Sequence, residues 1–207
     1  MKSQQLQQTF GNIDIYLFDQ LLKGTYNECK TVLDAGCGTG RNLLYFLRSG
    51  AQVYGVDQNP EAIAQAKILA SSFPHINLEE NFRIACVEKM PFENESFDLI
   101  ISSAVLHFAE NQEHFEAMLN SIWRVLKPGG YIFCRLASEI GIEPLIYFIG
   151  NGRYMLPDGS TRFLVNQEML LRLTKNLGGQ LYEPIKTTNV QNMRAMTTWC
   201  VRKSYSI

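Results

Sequence analysis

This sequence has no long apolar run, no excess of charge and no paired cysteines, and each lack removes a class of protein. No stretch approaches the ~20 apolar residues of a membrane-spanning helix. Met1-Lys2-Ser3-Gln4-Gln5 carries no apolar signal core. Lys and Arg number 19 against 20 Asp and Glu, for a formal net charge of -1. With no basic run, the chain offers no large footprint for nucleic acid. The five cysteines (Cys29, Cys37, Cys86, Cys134, Cys200) are scattered, odd in number and free of any C-x-x-C pair. They indicate neither a disulfide framework nor a zinc site, so no metal is expected and the implied setting is reducing and cytoplasmic. What is present is ordinary for a globular protein: 207 residues, 46% of them hydrophobic. That length is most simply one domain, residues 1–207, with a sizeable core.

The most informative stretch is Val32-Leu33-Asp34-Ala35-Gly36-Cys37-Gly38-Thr39-Gly40-Arg41. A short apolar run, Thr31 to Leu33, reads as a buried strand. Three glycines at alternate positions follow, and then a helical pattern carrying Leu43, Leu44, Phe46 and Leu47. Strand, glycine loop and helix open a βαβ nucleotide-binding unit. The glycines let the loop turn tightly and let a ligand approach the backbone more closely than a Cβ would allow. A second strand, Gln52 to Val56, ends in Asp57, about 20 residues after the first glycine, where a carboxylate accepts from ribose hydroxyls. The loop is G-x-G-x-G, and Arg41 stands where the dinucleotide fingerprint G-x-G-x-x-G has its last glycine.

On these residues the chain resembles the class I S-adenosylmethionine-dependent methyltransferases. The resemblance continues in Gly55-Val56-Asp57, Met90-Pro91-Phe92, Ser96-Phe97-Asp98-Leu99-Ile100 and Arg124-Val125-Leu126-Lys127-Pro128-Gly129-Gly130. It covers roughly residues 30 to 136 and is specific for the family, not for a substrate. It implies an α/β fold: a Rossmann-like, doubly wound, seven-stranded and mostly parallel sheet whose last strand pair is antiparallel. It also implies S-adenosylmethionine as cofactor, with S-adenosylhomocysteine as product. The implied cofactor residues are Asp34, Gly36, Cys37, Gly38, Gly40, Arg41, Asp57, Gln58, Cys86, Val87, Glu88 and Ser103. Asp34 and the glycines would hold the methionine end and Asp57 the ribose. The Val87 backbone N–H would meet an adenine nitrogen. The family's acidic residue that reads the adenine amino group falls on Cys86, or on Glu88 if the loop is displaced by two; here the sequence departs from the pattern.

Motifs that are missing narrow the resemblance. After the fourth strand comes Ser102-Ser103-Ala104-Val105-Leu106-His107-Phe108. It holds no Asn/Asp-Pro-Pro-aromatic motif of nucleic-acid amino-methyltransferases, no Pro-Cys nucleophile, and no carboxylates for a magnesium site. Small-molecule methyltransferases remain; Gly38-Thr39-Gly40-Arg41-Asn42 is also similar to the tellurite-resistance enzymes.

The other segments read more simply. Residues 1–30 carry a helical apolar stripe of Ile13, Leu17, Leu21 and Leu22. This is a helix packed on the sheet edge, or a cap in which Tyr16 faces the pocket. Asn59-Pro60 starts a helix running to about Ser72, and residues 75–81 read as loop. Phe82–Cys86 is the third strand and Phe97–Ser102 the fourth. A helix over Phe115–Leu126 is stopped by Lys127-Pro128-Gly129-Gly130, and Tyr131–Leu136 is the fifth strand. Asn166 caps a helix over residues 167–177. Leu181–Thr187 and Ala195–Arg202 are the last two strands, with Pro184 at an exposed edge. Residues 137–165 fit no simple element; they are either a substrate-side insertion offering Tyr147 and Tyr154, or a small apolar cluster or dimer contact.

The implied function is methyl transfer to a small molecule by a monomer or homodimer. Ser103 and His107 would face the methyl group, with His107 either the general base or a packed structural histidine. Two rivals stand beside this: a nicotinamide-dependent oxidoreductase and a non-catalytic S-adenosylmethionine-binding protein.

Overall fold

The computed structural model describes residues 3–205. Two short helices, α1 (Ser3–Phe10) and α2 (Ile15–Leu22), precede the first strand, β1 (Thr31–Ala35). Then follow α3 (Leu44–Arg48), β2 (Gln52–Asp57), α4 (Pro60–Ala70), α5 (Leu78–Asn81) and β3 (Phe82–Ile84). The central part is β4 (Phe97–Ser103), α6 (Gln112–Val125) and β5 (Leu126–Ser138). Three short strands come next: β6 (Tyr147–Gly150), β7 (Arg153–Met155) and β8 (Thr161–Phe163). The chain continues through α7 (Gln167–Asn176), β9 (Gly179–Leu181), β10 (Lys186–Val190) and β11 (Arg194–Lys203).

The main sheet runs β10-β11-β5-β4-β1-β2-β3, with β9 also paired to β11. The five strands from β5 to β3 are parallel neighbours, and β11 joins β5 antiparallel. This is the expected doubly wound Rossmann-like fold, with β9 as an eighth strand. Alternation along the buried strands explains the two-sided core. Leu33, Ile100 and Ile132 join the cluster that packs Phe115, Leu119 and Ile122 of α6. Val32, Leu99, Ile101 and Phe133 join the opposite cluster, with Leu43, Phe46 and Leu47 around α3 and Ile63 and Ala66 of α4. Strands buried on both faces read as continuous apolar runs, as these do.

Local chemistry fixes the helix ends. The side chains of Asn59, Asn111 and Asn166 each accept a backbone N–H of the first turn of α4, α6 and α7. Pro60 occupies the first turn of α4, where its missing N–H costs nothing.

Several expectations are corrected. The amino-terminal segment holds two helices, not one; Leu17, Leu21 and Leu22 of the stripe lie on α2, and Leu22 is exposed. Residues 78–81 are helical, because Asn77 accepts from the N–H groups of Glu79 and Glu80. The helix α6 starts three residues earlier than the apolar spacing suggests, at its Asn111 cap. The fifth strand extends in both directions, since Leu126 pairs with Phe97 and Ser138 with Ala195. The last hairpin is β10–β11, and Pro184 lies between β9 and β10 rather than in a strand. Residues 147–163 do form an element, the antiparallel meander β6-β7-β8.

Candidate active site

The glycine loop follows β1 and is pinned to β2. The N–H groups of Gly36 and Cys37 both donate to the Val56 carbonyl at 2.9 Å. Gly38 N–H donates to Asp57 Oδ2 at 2.8 Å, and Asn59 N–H donates to Asp57 Oδ1 at 2.9 Å. Gly55 makes room for this packing: a Cβ there would lie 2.9 Å from both Cys37 Sγ and the Phe82 ring. Gly36 is needed for φ and for space, with φ +82 and Val105 Cγ2 2.4 Å from where a Cβ would stand. Gly38 differs. It sits at φ +52, and nothing lies within 4 Å of its added Cβ, because the loop faces open space there.

That space is a cavity of about 430 Å³ outside the carboxyl ends of the parallel strands. Of the expected cofactor residues it is lined by Gly36, Gly38, Asp57, Gln58, Cys86, Val87 and Glu88. Asp57 has taken one backbone N–H on each oxygen, and a carboxylate has about four lone-pair sites, so acceptor capacity remains toward the cavity. Glu88 lies 3.6 Å from His114 Nε2, whose Nδ1 accepts the Glu110 N–H. Glu110, His114 and Met118 also line this cavity, and the sequence reading missed them. The signal was the asparagine at 111, whose cap sets the start of α6 and so the face His114 presents.

Other expected residues sit behind or beside the wall. Asp34 is 1% exposed, and neither of its carboxyl oxygens has a hydrogen-bond partner. Burial, aided by the Asp57 charge and opposed by Arg41, pushes its pKa up to about 8. Cys37 is buried, and burial raises its thiol well above the usual range. Gly40 packs toward Leu69 and Ala66 of α4. Arg41 and Ser103 belong to a polar cluster around Asp14, whose side chain is fully buried. Asp14 caps α2 through the Tyr16 N–H and accepts from Ser103 Oγ and Arg135 Nη1, both at 3.1 Å. Arg41 Nη2 donates to Ser103 Oγ at 3.1 Å and lies 3.8 Å from the same carboxylate. Asp14 therefore ties the amino-terminal segment to β4 and β5. No sequence motif marked it beyond an aspartate ahead of an apolar helix.

A second cavity, of about 350 Å³, adjoins the first: Ala104 and Phe108 line both. Ala104 holds φ +64, a costly conformation for a non-glycine residue, at the end of β4 where the two cavities meet. His107 lines the second cavity. It is 6% exposed, and its Nδ1 accepts the Ala137 N–H at 3.1 Å. Burial first, then the Arg162 charge, lowers its pKa to about 4. The ring is thus neutral with its proton on Nε2, a donor. Of the two readings of His107 this geometry favours the packed structural one, because the unprotonated nitrogen already accepts a backbone N–H. Of the expected substrate residues, none lines either cavity. Tyr16 stacks under Arg135 and bonds Thr188 Oγ1, Tyr147 is exposed on β6, and Tyr154 packs against Phe148. Among the described residues no group of three or more His, Cys, Asp or Glu is placed to hold a metal ion.

The cradle fits S-adenosylmethionine on its own chemistry. It offers an open glycine, a carboxylate with spare acceptor capacity, and a buried, unpartnered acid behind the loop. Comparison with known proteins settles the family. The family described as "Methyltransferase domain" matches residues 33–134. Residues 33–134 are thus a methyltransferase domain, set in the fold of S-adenosylmethionine-dependent methyltransferases. An uncharacterized methyltransferase of Synechocystis sp. is 34% identical over 124 residues, 58% of this chain and 54% of that protein. A ubiquinone biosynthesis O-methyltransferase of Bradyrhizobium sp. is 28% identical over 167 residues, 74% of this chain and 62% of the relative. The chain thus spans less than two thirds of the length of these curated relatives. A crystal structure of an S-adenosylmethionine-dependent methyltransferase from Methanosarcina mazei superposes with TM-score 0.73 at 20% identity, covering 90% of this chain and 98% of that one. The cofactor of that family is S-adenosylmethionine, which the cradle fits, and the match does not favour the nicotinamide reading.

Proposed function

We propose that the protein transfers a methyl group from S-adenosylmethionine to a small-molecule acceptor. The observation that carries this is the junction at Ala104 and Phe108, where a cavity walled by the glycine loop and Asp57 meets a second, separately lined cavity. A cofactor cavity that adjoins a second chamber favours turnover over cofactor binding alone. When bound, S-adenosylmethionine supplies a methyl group already activated by its sulfonium. What remains for the chain is alignment of donor and acceptor. Gly36, Gly38, Asp57 and the Val87–Glu88 turn would hold and orient the cofactor. The buried Asp34 carboxyl would face its cationic methionine end once ionised. Phe108 would stand between the two ligands, since it lines both cavities. His107 donates from Nε2 rather than accepting a proton, so an acceptor that ionises by itself suits the site.

The relatives' names support small acceptors. The formal net charge of -1 supports no nucleic-acid partner, and the scattered free cysteines support a cytoplasmic setting. Among the described residues no helix is long and apolar enough to cross a membrane. The reading takes residues 1–207 as one unit, a monomer or homodimer, with 1–30 as a cap and 137–165 on the acceptor side. The test is a screen of metabolite pools with labelled S-adenosylmethionine. Transfer of label to a small molecule, with matching S-adenosylhomocysteine, is expected; cofactor binding with no labelled product from any pool would contradict it.

A further inference from the structure

The second cavity has a chemistry of its own. Arg135, Arg162 and Arg194 line it, against the single carboxylate of Asp158. Arg135 is paired with Asp14, 3.1 Å from its Nη1, a carboxylate that Arg41 approaches at 3.8 Å from outside the cavity. Asp158 Oδ2 lies 3.8 Å from Arg194 Nη1, while its Oδ1 accepts from the Ser160 N–H and hydroxyl. The Ser160 hydrogen bonds first, with the Arg194 and Arg162 charges, hold Asp158 below the usual carboxylate range, so it stays charged. Among the described residues Arg162 has no carboxylate within ion-pair distance. It donates from Nη1 to the Thr161 carbonyl at 2.7 Å and lies 4.8 Å from the centre of the Phe108 ring. Asp158 thus serves two guanidiniums and leaves at least one positive charge over, that of Arg162. The cavity adds a neutral donor in His107, whose Nδ1 is occupied and whose Nε2 carries the proton. A fixed guanidinium, a second N–H donor and one surplus charge match a monoanion, and a planar guanidinium matches a carboxylate in particular.

We propose that this cavity takes an acceptor bearing one carboxylate, anchored on Arg162 and oriented by His107, with the atom to be methylated at the Phe108 end. The inference rests on the methyl-transfer reading and specifies its substrate class. Arg162 is on β8, so the meander that follows β5 would be what sets acceptor choice in this chain.

The test uses benzoate and benzamide, which match in shape and differ in charge, titrated into the full chain saturated with S-adenosylhomocysteine. Affinity in the millimolar range is expected of so small a probe. Benzoate should bind roughly tenfold or more tighter than benzamide, the usual worth of a hydrogen-bonded charge. Arg162→Gln should bring that ratio to about one, and Arg162→Lys should keep part of it. S-adenosylhomocysteine affinity is measured first in every variant, as the check of folding. Equal affinity for the two probes, no saturable benzoate binding, or a preference that survives Arg162→Gln would overturn the inference. Failure of the unmodified protein to bind S-adenosylhomocysteine would overturn the reading beneath it instead.

Discussion

Replacing Asp57 by alanine perturbs the loop and the ribose site together, and the two effects can be separated. In the native chain each oxygen of Asp57 accepts one backbone N–H, from Gly38 at 2.8 Å and from Asn59 at 2.9 Å. The carboxylate has capacity for two further donors, the number a ribose diol offers. Losing hydrogen bonds to a charged acceptor costs about 1.5–3 kcal/mol, which is roughly 10- to 150-fold in affinity. Loss of the Gly38 clamp adds to this, since the loop must then be ordered by the ligand itself. Calorimetric titration with S-adenosylhomocysteine and with its 2′,3′-dideoxyribose analogue divides the terms. The native protein should prefer the diol by that factor, and Asp57→Ala should bind both weakly and alike. Undiminished preference for the diol in the folded variant would refute the assignment of Asp57 to the ribose.

Three further outcomes follow from the same geometry. Asp34, with its pKa near 8, is mostly protonated at pH 6.5 and must ionise to face a cationic methionine end; cofactor binding should therefore release about one proton. Calorimetry at that pH in buffers of different ionisation enthalpy reads the release, and Asp34→Asn should abolish it. His107 has its pKa lowered from 6.5 to about 4, so its contribution is full above 6.5 and is lost as pH falls toward 4. The gap in urea-unfolding stability between the native protein and His107→Gln should shrink over that window by about 3 kcal/mol, while kcat at neutral pH changes less than about fivefold, well short of the loss of a general base. Asp14→Ala leaves Arg135 and Ser103 without their shared acceptor and should cost about 3 kcal/mol in chemical denaturation, as breaking a buried pair does, with Asp14→Asn costing less.

The parts of the fold visible in the sequence are those written by local rules. The Thr31–Leu33 run, the alternate glycines and the acid at 57 specify strand, loop and strand within one short stretch, and the structure brings Gly36, Gly38 and Asp57 to one wall. Asn59-Pro60 and Asn166 mark helix starts because capping acts within a single turn. What stayed hidden depends on distant partners. The meander β6-β7-β8 has strands of three or four residues, with Tyr147, Phe148 and Ile149 all exposed, so no alternation announces it. The early start of β5 runs through Pro128-Gly129-Gly130 and exists only because β4 lies alongside. Asp14 meets a serine 89 positions and an arginine 121 positions away, contacts that no local pattern encodes. The arginine cavity is assembled from β5, β8 and β11 in the same way.

The central claim is that the loop at Gly38 holds S-adenosylmethionine against the chain, and one titration tests it. Gly38 faces open space at φ +52, so an added Cβ meets no protein atom within 4 Å, and the substitution costs about 1–2 kcal/mol or more of backbone strain. Calorimetric titration of S-adenosylmethionine into the native protein and into folded Gly38→Val should show one site per chain in the first and none in the second. Equal affinity in the two would contradict the account, because the loop would then be a turn and not a cradle.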